Sequence, residues 1–379
     1  MKKILFDAGP LMSRNVSGVG RYLELMISAL KLNYGENISL TGYYFRFAKR
    51  KSSSKEFYNG NKLLRIRFLP GKLLAAVRLA RIRPPVEIVT RFKNYDSVLF
   101  TNFVDLPVLS SKSMKKILFI YDLCFLDCPE YVQGKNLKYL KSYAEPSIRR
   151  ADAIVTISNY TKSRIIKFFP ELNTQIIVTP IPPTMVEQKK RPLSSRLKEM
   201  GVERKKYILF VGTVEPRKNL KVLLDSLSRL DEPIRSELKI VIAGGKGWKD
   251  SEILKTVATM NETEPKVIMC GYVTDAEKNE LYTNASCFVL PSHYEGFGMP
   301  VLEAMLFQLP IILSDIEVFH EVAGKSVIYF NKNSSEDLAN KITTLLTNKT
   351  LQKNMVAKYP NQLSKYSWSD NAKKLYKIL

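Results

Sequence analysis

A chain of 379 residues that is 45% hydrophobic has enough apolar material for two domains with cores of their own, and this composition excludes a disordered chain. Its net charge of +23 implies a polyanionic partner: nucleic acid, anionic lipid or a phosphorylated substrate. Four cysteines (Cys124, Cys128, Cys270, Cys287) without a Cys-x-x-Cys pair, and only two histidines (His293, His320), argue against zinc and fit reduced core residues of a cytoplasmic protein.

The N-terminal Met-Lys-Lys-Ile-Leu-Phe-Asp is too short in apolar length for a signal peptide. No apolar run nears the about 20 residues that a spanning helix needs. Residues 3–8 read as a first strand, followed by a loop from Gly9 to Gly20 and a helix through Leu23–Leu30. The loop ends in Ser17-Gly18-Val19-Gly20-Arg21-Tyr22. Leu23 stands where a Gly-x-Gly-x-x-Gly fingerprint needs its third glycine, so a loop facing an interdomain cleft is the better reading than a dinucleotide site.

Residues 38–47 form a second strand. From Arg46 to Lys93, fourteen Lys and Arg stand against Glu56 and Glu87, a net of +12. Within this segment, 72–83 combines helical propensity, a Leu/Val face and arginines, which suits a helix on an anionic membrane surface. The alternative is an ordinary solvated helix packed on the sheet. No reader motif accompanies the patch, so nucleic acid is not the expected partner. Strands follow at 97–101, 116–121, 153–157 and 176–178, with helices at 136–149 and 160–169. The prolines 180, 182 and 183 and the polar, basic run Glu187–Arg196 read as an interdomain linker.

The second half restarts the alternation. Strands at 207–212, 238–243, 267–270, 286–290, 311–313 and 327–330 alternate with helices, and helices near 334–346, 350–358 and 369–378 close the chain. Such alternation predicts an α/β protein with parallel, doubly wound sheets, whose ligands bind beyond the carboxyl ends of the strands. The chemistry gathers at such ends. Strand 207–212 runs into a turn carrying Arg217 and Lys218. Strand 286–290 runs into Pro-Ser-His-Tyr-Glu-Gly-Phe-Gly-Met-Pro (291–300), where Gly296, Phe297 and Gly298 precede a helix opened by Pro300. Free N–H groups at that helix start, with Arg217 and Lys218, can hold a diphosphate and stabilise it as it leaves. Glu303 can accept two hydrogen bonds from a ribose, and Glu295, at the mouth, can touch a second group such as a sugar. Taken singly, Glu303 could be an exposed helix residue, and Arg217 and Lys218 a helix-start charge pair. No Asp-x-Asp occurs in the chain, so no metal is expected and the clamp is cationic.

Tyr-Glu-Gly-Phe-Gly-Met-Pro-Val-Leu-Glu-Ala-Met, with Glu295 and Glu303 spaced Glu-x7-Glu, resembles the retaining GT-B glycosyltransferases of family 4 (glycosyl transferases group 1), as does Gly-Thr-Val-Glu-Pro-Arg-Lys-Asn-Leu (212–220). Residues 6–11, 17–22, 247–248 and 321–324 carry the likeness along nearly the whole chain. The resemblance implies two Rossmann-like domains facing a cleft: an acceptor domain at 1–180, a linker at 181–200, a nucleotide-sugar domain at 201–365 and a terminal helix at 366–379 crossing back to the first. It implies that Arg217 and Lys218 grip the diphosphate, Glu303 binds the ribose and Glu295 attends the reacting sugar. Tyr272 and Val273 would border the base, and Gly18 and Gly20 would let backbone approach donor phosphates or acceptor.

Many relatives carry His-Asp at the end of a central first-domain strand, where this chain has Tyr121-Asp122. Tyr121 could donate to a sugar hydroxyl or simply pack at the wall. It is no proton shuttle at pH 7, which suits a front-face mechanism, and Asp122 is a second candidate for acceptor contact. The expected activity is that of a metal-independent hexosyltransferase without a cofactor. It would move mannose from GDP-mannose, with UDP- and dTDP-sugars open, to a polyprenyl-diphosphate-linked saccharide in bacterial surface polysaccharide (O-antigen or capsule) assembly. It would work in the cytoplasm, peripherally on the inner face of the plasma membrane. A nucleotide-sugar epimerase or a non-catalytic GT-B scaffold are the rival readings. Exchanging Arg78, Arg81 and Arg83 for Glu is expected to release the protein from anionic vesicles in a sedimentation assay; undiminished binding refutes the membrane reading.

Overall fold

The computed structural model describes residues 1–12, 17–46, 57–58, 61–67, 95–101, 114–183, 191–245, 247–248, 251–262 and 266–379. Nearly all of the basic segment 46–93, including 72–83, lies outside the described residues, as does 184–190 of the expected linker. The chain divides into two compact units: Met1–Leu126 with Gly134–Ile181 and Ser367–Leu379, and Asp127–Gln133 with Pro182–Tyr366.

The first unit is built on an eight-stranded sheet, β1 (Lys2–Asp7), β2 (Ile38–Arg46), β3 (Phe57–Tyr58), β4 (Asn61–Arg67), β5 (Ser97–Phe100), β6 (Lys115–Ile120), β7 (Ala153–Thr156) and β8 (Gln175–Val178). Their order is β3-β4-β2-β1-β5-β6-β7-β8. All neighbours run parallel except the β3–β4 hairpin. That hairpin falls inside the basic segment, where charge counting found no strand. β4 alternates Lys62, Arg65 and Arg67 with apolar residues, so counting charge alone hid it. The terminal helix Trp368–Tyr376 belongs to this unit and packs on the helix Gly18–Tyr34. Tyr34 stacks on Tyr376 at 4.0 Å, and the Asn371 side-chain amide donates to the Pro180 carbonyl at 2.5 Å.

The second unit carries a six-stranded parallel sheet of β9 (Tyr207–Val211), β10 (Lys239–Ala243), β11 (Val267–Gly271), β12 (Cys287–Leu290), β13 (Ile311–Ser314) and β14 (Ile328–Phe330). The order β11-β10-β9-β12-β13-β14 is the doubly wound 3-2-1-4-5-6 arrangement, which reverses direction between β9 and β12. Both strands are buried along their whole length, Tyr-Ile-Leu-Phe-Val and Cys-Phe-Val-Leu, because helices cover both faces of a parallel sheet. The chain leaves β9 and β12 at the crevice where such sheets hold ligands.

Two local expectations are corrected. Gly18 and Gly20 do not lie in the loop after β1 but in the first turn of the helix Gly18–Tyr34. Ser17 caps it, accepting the Gly20 N–H at 3.4 Å, and a Ser-x-x-Gly start costs less when the cap supplies the missing acceptor. The linker span 181–200 contains a helix, Ser195–Glu199, whose Leu197 is buried. Glu280 accepts the Ser194 N–H at 2.9 Å and Glu277 pairs with Arg196 at 2.5 Å, so this part of the linker is fastened to the second unit.

Gly244, after β10, sits against the Gly212 backbone after β9: a Cβ there would lie 1.9 Å from the Gly212 carbonyl oxygen. Gly244→Ala is expected to destabilise the second unit by about 1–3 kcal/mol or more through forced backbone movement. Calorimetry would show this as a lower transition temperature.

Candidate active site

Two strand ends of the second unit bring the charged groups together. After β9, residues Pro216–Lys218 make a 3-10 turn that ends at Asn219 in the left-handed region, φ 53°. The Asn219 side-chain amide donates to the Pro291 carbonyl at 3.1 Å and the Lys332 carbonyl at 2.8 Å, locking this turn to the segment after β12. The His293 N–H completes the lock by donating to the Arg217 carbonyl at 2.9 Å. Asparagine suits the position because it tolerates positive φ and carries its own hydrogen-bonding amide.

The lock places Glu295 at the centre of a cationic clasp. Lys218 Nζ donates to Oε1 at 2.5 Å, Ser292 Oγ donates to the same oxygen at 2.7 Å, and Arg217 Nη1 donates to Oε2 at 2.8 Å. Arg217 also reaches the Tyr294 carbonyl at 3.0 Å and, through Nη2, Glu215 at 2.6 Å. Glu295 is 6% exposed, so it does not stand at a solvated mouth as the sequence suggests. Burial by itself would raise its pKa, but Lys218 and Arg217, helped by Ser292, hold it down at about 2. Burial drags the Lys218 ammonium below its ordinary value while Glu295 opposes that drift. Arg217 and Lys218 are therefore not bare cations: two carboxylates balance them.

Gly298, at φ +98°, turns the chain into the helix Met299–Leu306, with Pro300 in its first turn. A side chain at 298 would be strained by that φ and would meet the Phe319 ring at 2.8 Å. Five positions into this helix, Glu303 is buried rather than exposed. Lys278 Nζ donates to Glu303 Oε1 at 2.9 Å and the Tyr282 hydroxyl donates to Oε2 at 3.0 Å. Both partners come from the helix Asp275–Asn284, one turn apart, and Tyr282 is fixed by stacking on Phe307. That helix follows Gly271-Tyr272-Val273 at the end of β11, where Tyr272 is 57% exposed. Phe297 turns its ring inward, edge-on to Tyr366 at 5.8 Å, so what it can offer a ligand is backbone.

The expected residues of the first unit stand at its own strand ends. Tyr121 follows β6 and is buried. Its hydroxyl donates to the Thr101 carbonyl at 2.9 Å, and its ring meets Tyr22 edge-on at 5.8 Å. Burial first, then Tyr22 and Asp7, push its pKa well above the ordinary tyrosine value, so it keeps its proton. Its hydroxyl and ring are thus both engaged inside the first unit. Asp122 accepts the Cys124 N–H at 3.0 Å, starting the short helix Cys124–Asp127. Sequence reasoning passed over Asp7 as a site residue. It is buried at the end of β1 and its pKa is raised by burial to about 6 against the pull of the Gly9 N–H. It also passed over Ser292, Glu215, Lys278 and Tyr282. The Ser-x-x-Glu spacing of 292–295 and the four-residue spacing of Lys278 and Tyr282 were the available signals. Among the described residues, no group of three or more His, Cys, Asp or Glu is arranged to hold a metal ion. Nor, among them, is any helix long and apolar enough to cross a membrane.

Two Rossmann-like units, the second with the doubly wound strand order, give the chain the GT-B fold. Residues 196–362, within the second unit, match the model of the family Glycosyl transferases group 1. The chain is 28% identical to O-antigen chain mannosyltransferase B of Escherichia coli over 97% of either protein. Its fold is shared with WaaG, a glycosyltransferase involved in lipopolysaccharide biosynthesis, at TM-score 0.71 and 15% identity over 99% of both chains. It is shared also with Anabaena HepE in complex with UDP and glucose, at TM-score 0.69 and 16% identity over 100% of this chain and 99% of that one.

Glu295→Gln is expected to cost about 3–5 kcal/mol, because it leaves the buried Lys218 ammonium without a carboxylate and takes from Arg217 one of its two. Glu295 titrates lower in the folded chain than its ordinary 4.5, so its contribution is complete above that pH and is lost as pH falls toward about 2. Denaturation curves across this range should show that loss in the parent chain and not in Glu295→Gln.

Proposed function

We propose that the protein is a retaining, metal-independent mannosyltransferase, taking its sugar from GDP-mannose and placing it on a lipid-linked saccharide during assembly of a bacterial surface polysaccharide. The observation that carries this reading is the clasp of Arg217, Lys218 and Glu295 beside the helix start at Gly298, at the switch point of the second sheet. The likeness to O-antigen chain mannosyltransferase B, end to end, supports the sugar and the setting.

In this mechanism the diphosphate of the donor lies against Arg217 and Lys218. An ammonium has three donors and a guanidinium five, so both cations can keep Glu295 and still bond phosphate oxygens. The N–H groups at the start of Met299–Leu306 add their partial charge as the phosphate leaves. Glu295, fixed as an anion, accepts a hydrogen bond from one hydroxyl of the transferred sugar through Oε2 and sets its angle. Glu303, aligned by Lys278 and Tyr282, accepts from the ribose hydroxyls. The bond from the anomeric carbon to the diphosphate breaks, and the bond to the acceptor oxygen forms on the same face. The acceptor proton passes to the departing phosphate oxygen. No side-chain base is required, in keeping with a Tyr121 that holds its proton. The acceptor is a polyprenyl-diphosphate-linked saccharide handled by the first unit, where Asp122 contacts it. The basic segment 46–93 keeps the enzyme on the cytoplasmic membrane face.

A thermal-shift panel of GDP-mannose, UDP-glucose and dTDP-glucose tests the donor. GDP-mannose is expected to raise the transition temperature most, and Glu303→Ala to weaken its binding about tenfold or more by removing a carboxylate acceptor. A larger shift with a UDP- or dTDP-sugar refutes the GDP-mannose assignment. Unchanged affinity in Glu303→Ala refutes the ribose role.

A further inference from the structure

At the amino ends of the strands of the second sheet, opposite the candidate active site, lies a cavity of about 810 Å³. Lys206, Leu238, Ser286 and Pro310 line it, and each immediately precedes a strand: β9, β10, β12 and β13. The cavity thus underlies four adjacent strands at their amino ends, whereas Arg217, Glu295 and Gly298 follow the carboxyl ends of β9 and β12. Its volume is within the range of small-molecule sites, about 300–1,000 Å³.

The lining has two characters. Ile234, Leu238, Pro310 and Val356 supply apolar surface. Around them stand Lys205, Lys206, Lys349 and Lys353 against a single acid, Glu237. Lys205 is drawn to the Ala285 carbonyl and Lys206 to Glu203. Lys349 and Lys353 have no carboxylate partner among the described residues, and both are exposed. The placement of Lys349 is unfavourable for the isolated fold. Lys349 is the first residue of the helix Lys349–Val356, at the positive end of its dipole, with no acid in the first turn. Lys353, four residues on in the last turn, suits the dipole but repels Lys349 along one face. Nothing in the packing of this helix explains that arrangement, since its buried anchor is Met355. An anion between the lysines reverses the sign of both unfavourable interactions.

We infer that this cavity is a second ligand site, separate from the sugar-transfer site, for a phosphate group carried on an apolar body. The phosphate lies between Lys349 and Lys353, and the apolar part rests on Ile234, Leu238, Pro310 and Val356.

Calorimetric titration of the full chain with dioctanoyl phosphatidic acid below its micellar concentration tests this, beside dioctanoyl phosphatidylcholine and inorganic phosphate. Phosphatidic acid is expected to bind saturably, one per chain, and about tenfold or more tighter than phosphatidylcholine, because charge-assisted bonds need the exposed phosphate. Lys349→Gln/Lys353→Gln should weaken that binding about tenfold or more, leave nucleotide-sugar affinity unchanged, and hold or raise the transition temperature as repulsion is relieved. Lys349→Arg/Lys353→Arg should keep the binding. Inorganic phosphate binding as tightly as phosphatidic acid, and lost in the Gln variant, supports the anion site and assigns it to free phosphate. The inference is overturned if neither anion binds saturably, or if the Gln variant binds as the parent does.

Discussion

The second unit depends on one arrangement: a carboxylate out of water, held by a lysine, an arginine and a serine. Glu295 without Lys218 and Arg217 would be an uncompensated buried charge, and the two cations without Glu295 would repel each other across a short turn. The cluster binds the turn after β9 to the turn after β12, so the charged groups also close the crevice walls. Its balance matters chemically. On the proposed function, a diphosphate arriving here meets cations already answered by Glu295 and Glu215, not a strongly positive hole. The same clasp keeps Glu295 ionised over all physiological pH, so it acts as an acceptor of hydrogen bonds and not as an acid.

Glu303 is the counterpart on the other side of the glycine turn. Its two oxygens are claimed by different side chains, one cationic and one neutral, from a single neighbouring helix. Each carboxylate oxygen has a further lone pair, which leaves capacity for the vicinal hydroxyls of a ribose. Two glutamates eight positions apart thus become different instruments. One is neutralised by two charges, and the other is oriented by a lysine and a tyrosine. Similar amino acids acquire separate roles from what surrounds them.

Much of this was legible beforehand. Short apolar runs bounded by Gly and Pro marked all six strands of the second unit within a residue or so, because strands buried on both faces have no polar positions to blur them. The glycines of 296–298 and Pro300 announced a tight turn and a helix start. The first unit was read less well where charge masked pattern: the β3–β4 hairpin sat inside a segment read only for its lysines and arginines. The helix containing Gly18 and Gly20 began earlier than glycine content suggested, since Ser17 as a cap outweighs glycine's low propensity.

The sequence by itself determined the alternation of strands and helices, the doubly wound class and the cast of charged residues at strand ends. These follow from local propensity and periodicity, which operate within a few residues. Only the tertiary structure decided who touches whom. Glu295 meets cations 77 and 78 residues away, Glu303 meets a lysine 25 residues away, and Tyr121 directs its hydroxyl to a carbonyl 20 residues back. Such pairings depend on strand order, which places β9 beside β12 although two strands intervene in the chain. Burial then sets the protonation of each group. Neither strand order nor burial is a property of a residue or its neighbours in sequence, so the difference between a bare cationic clamp and a neutralised clasp could appear only once the sheet was assembled.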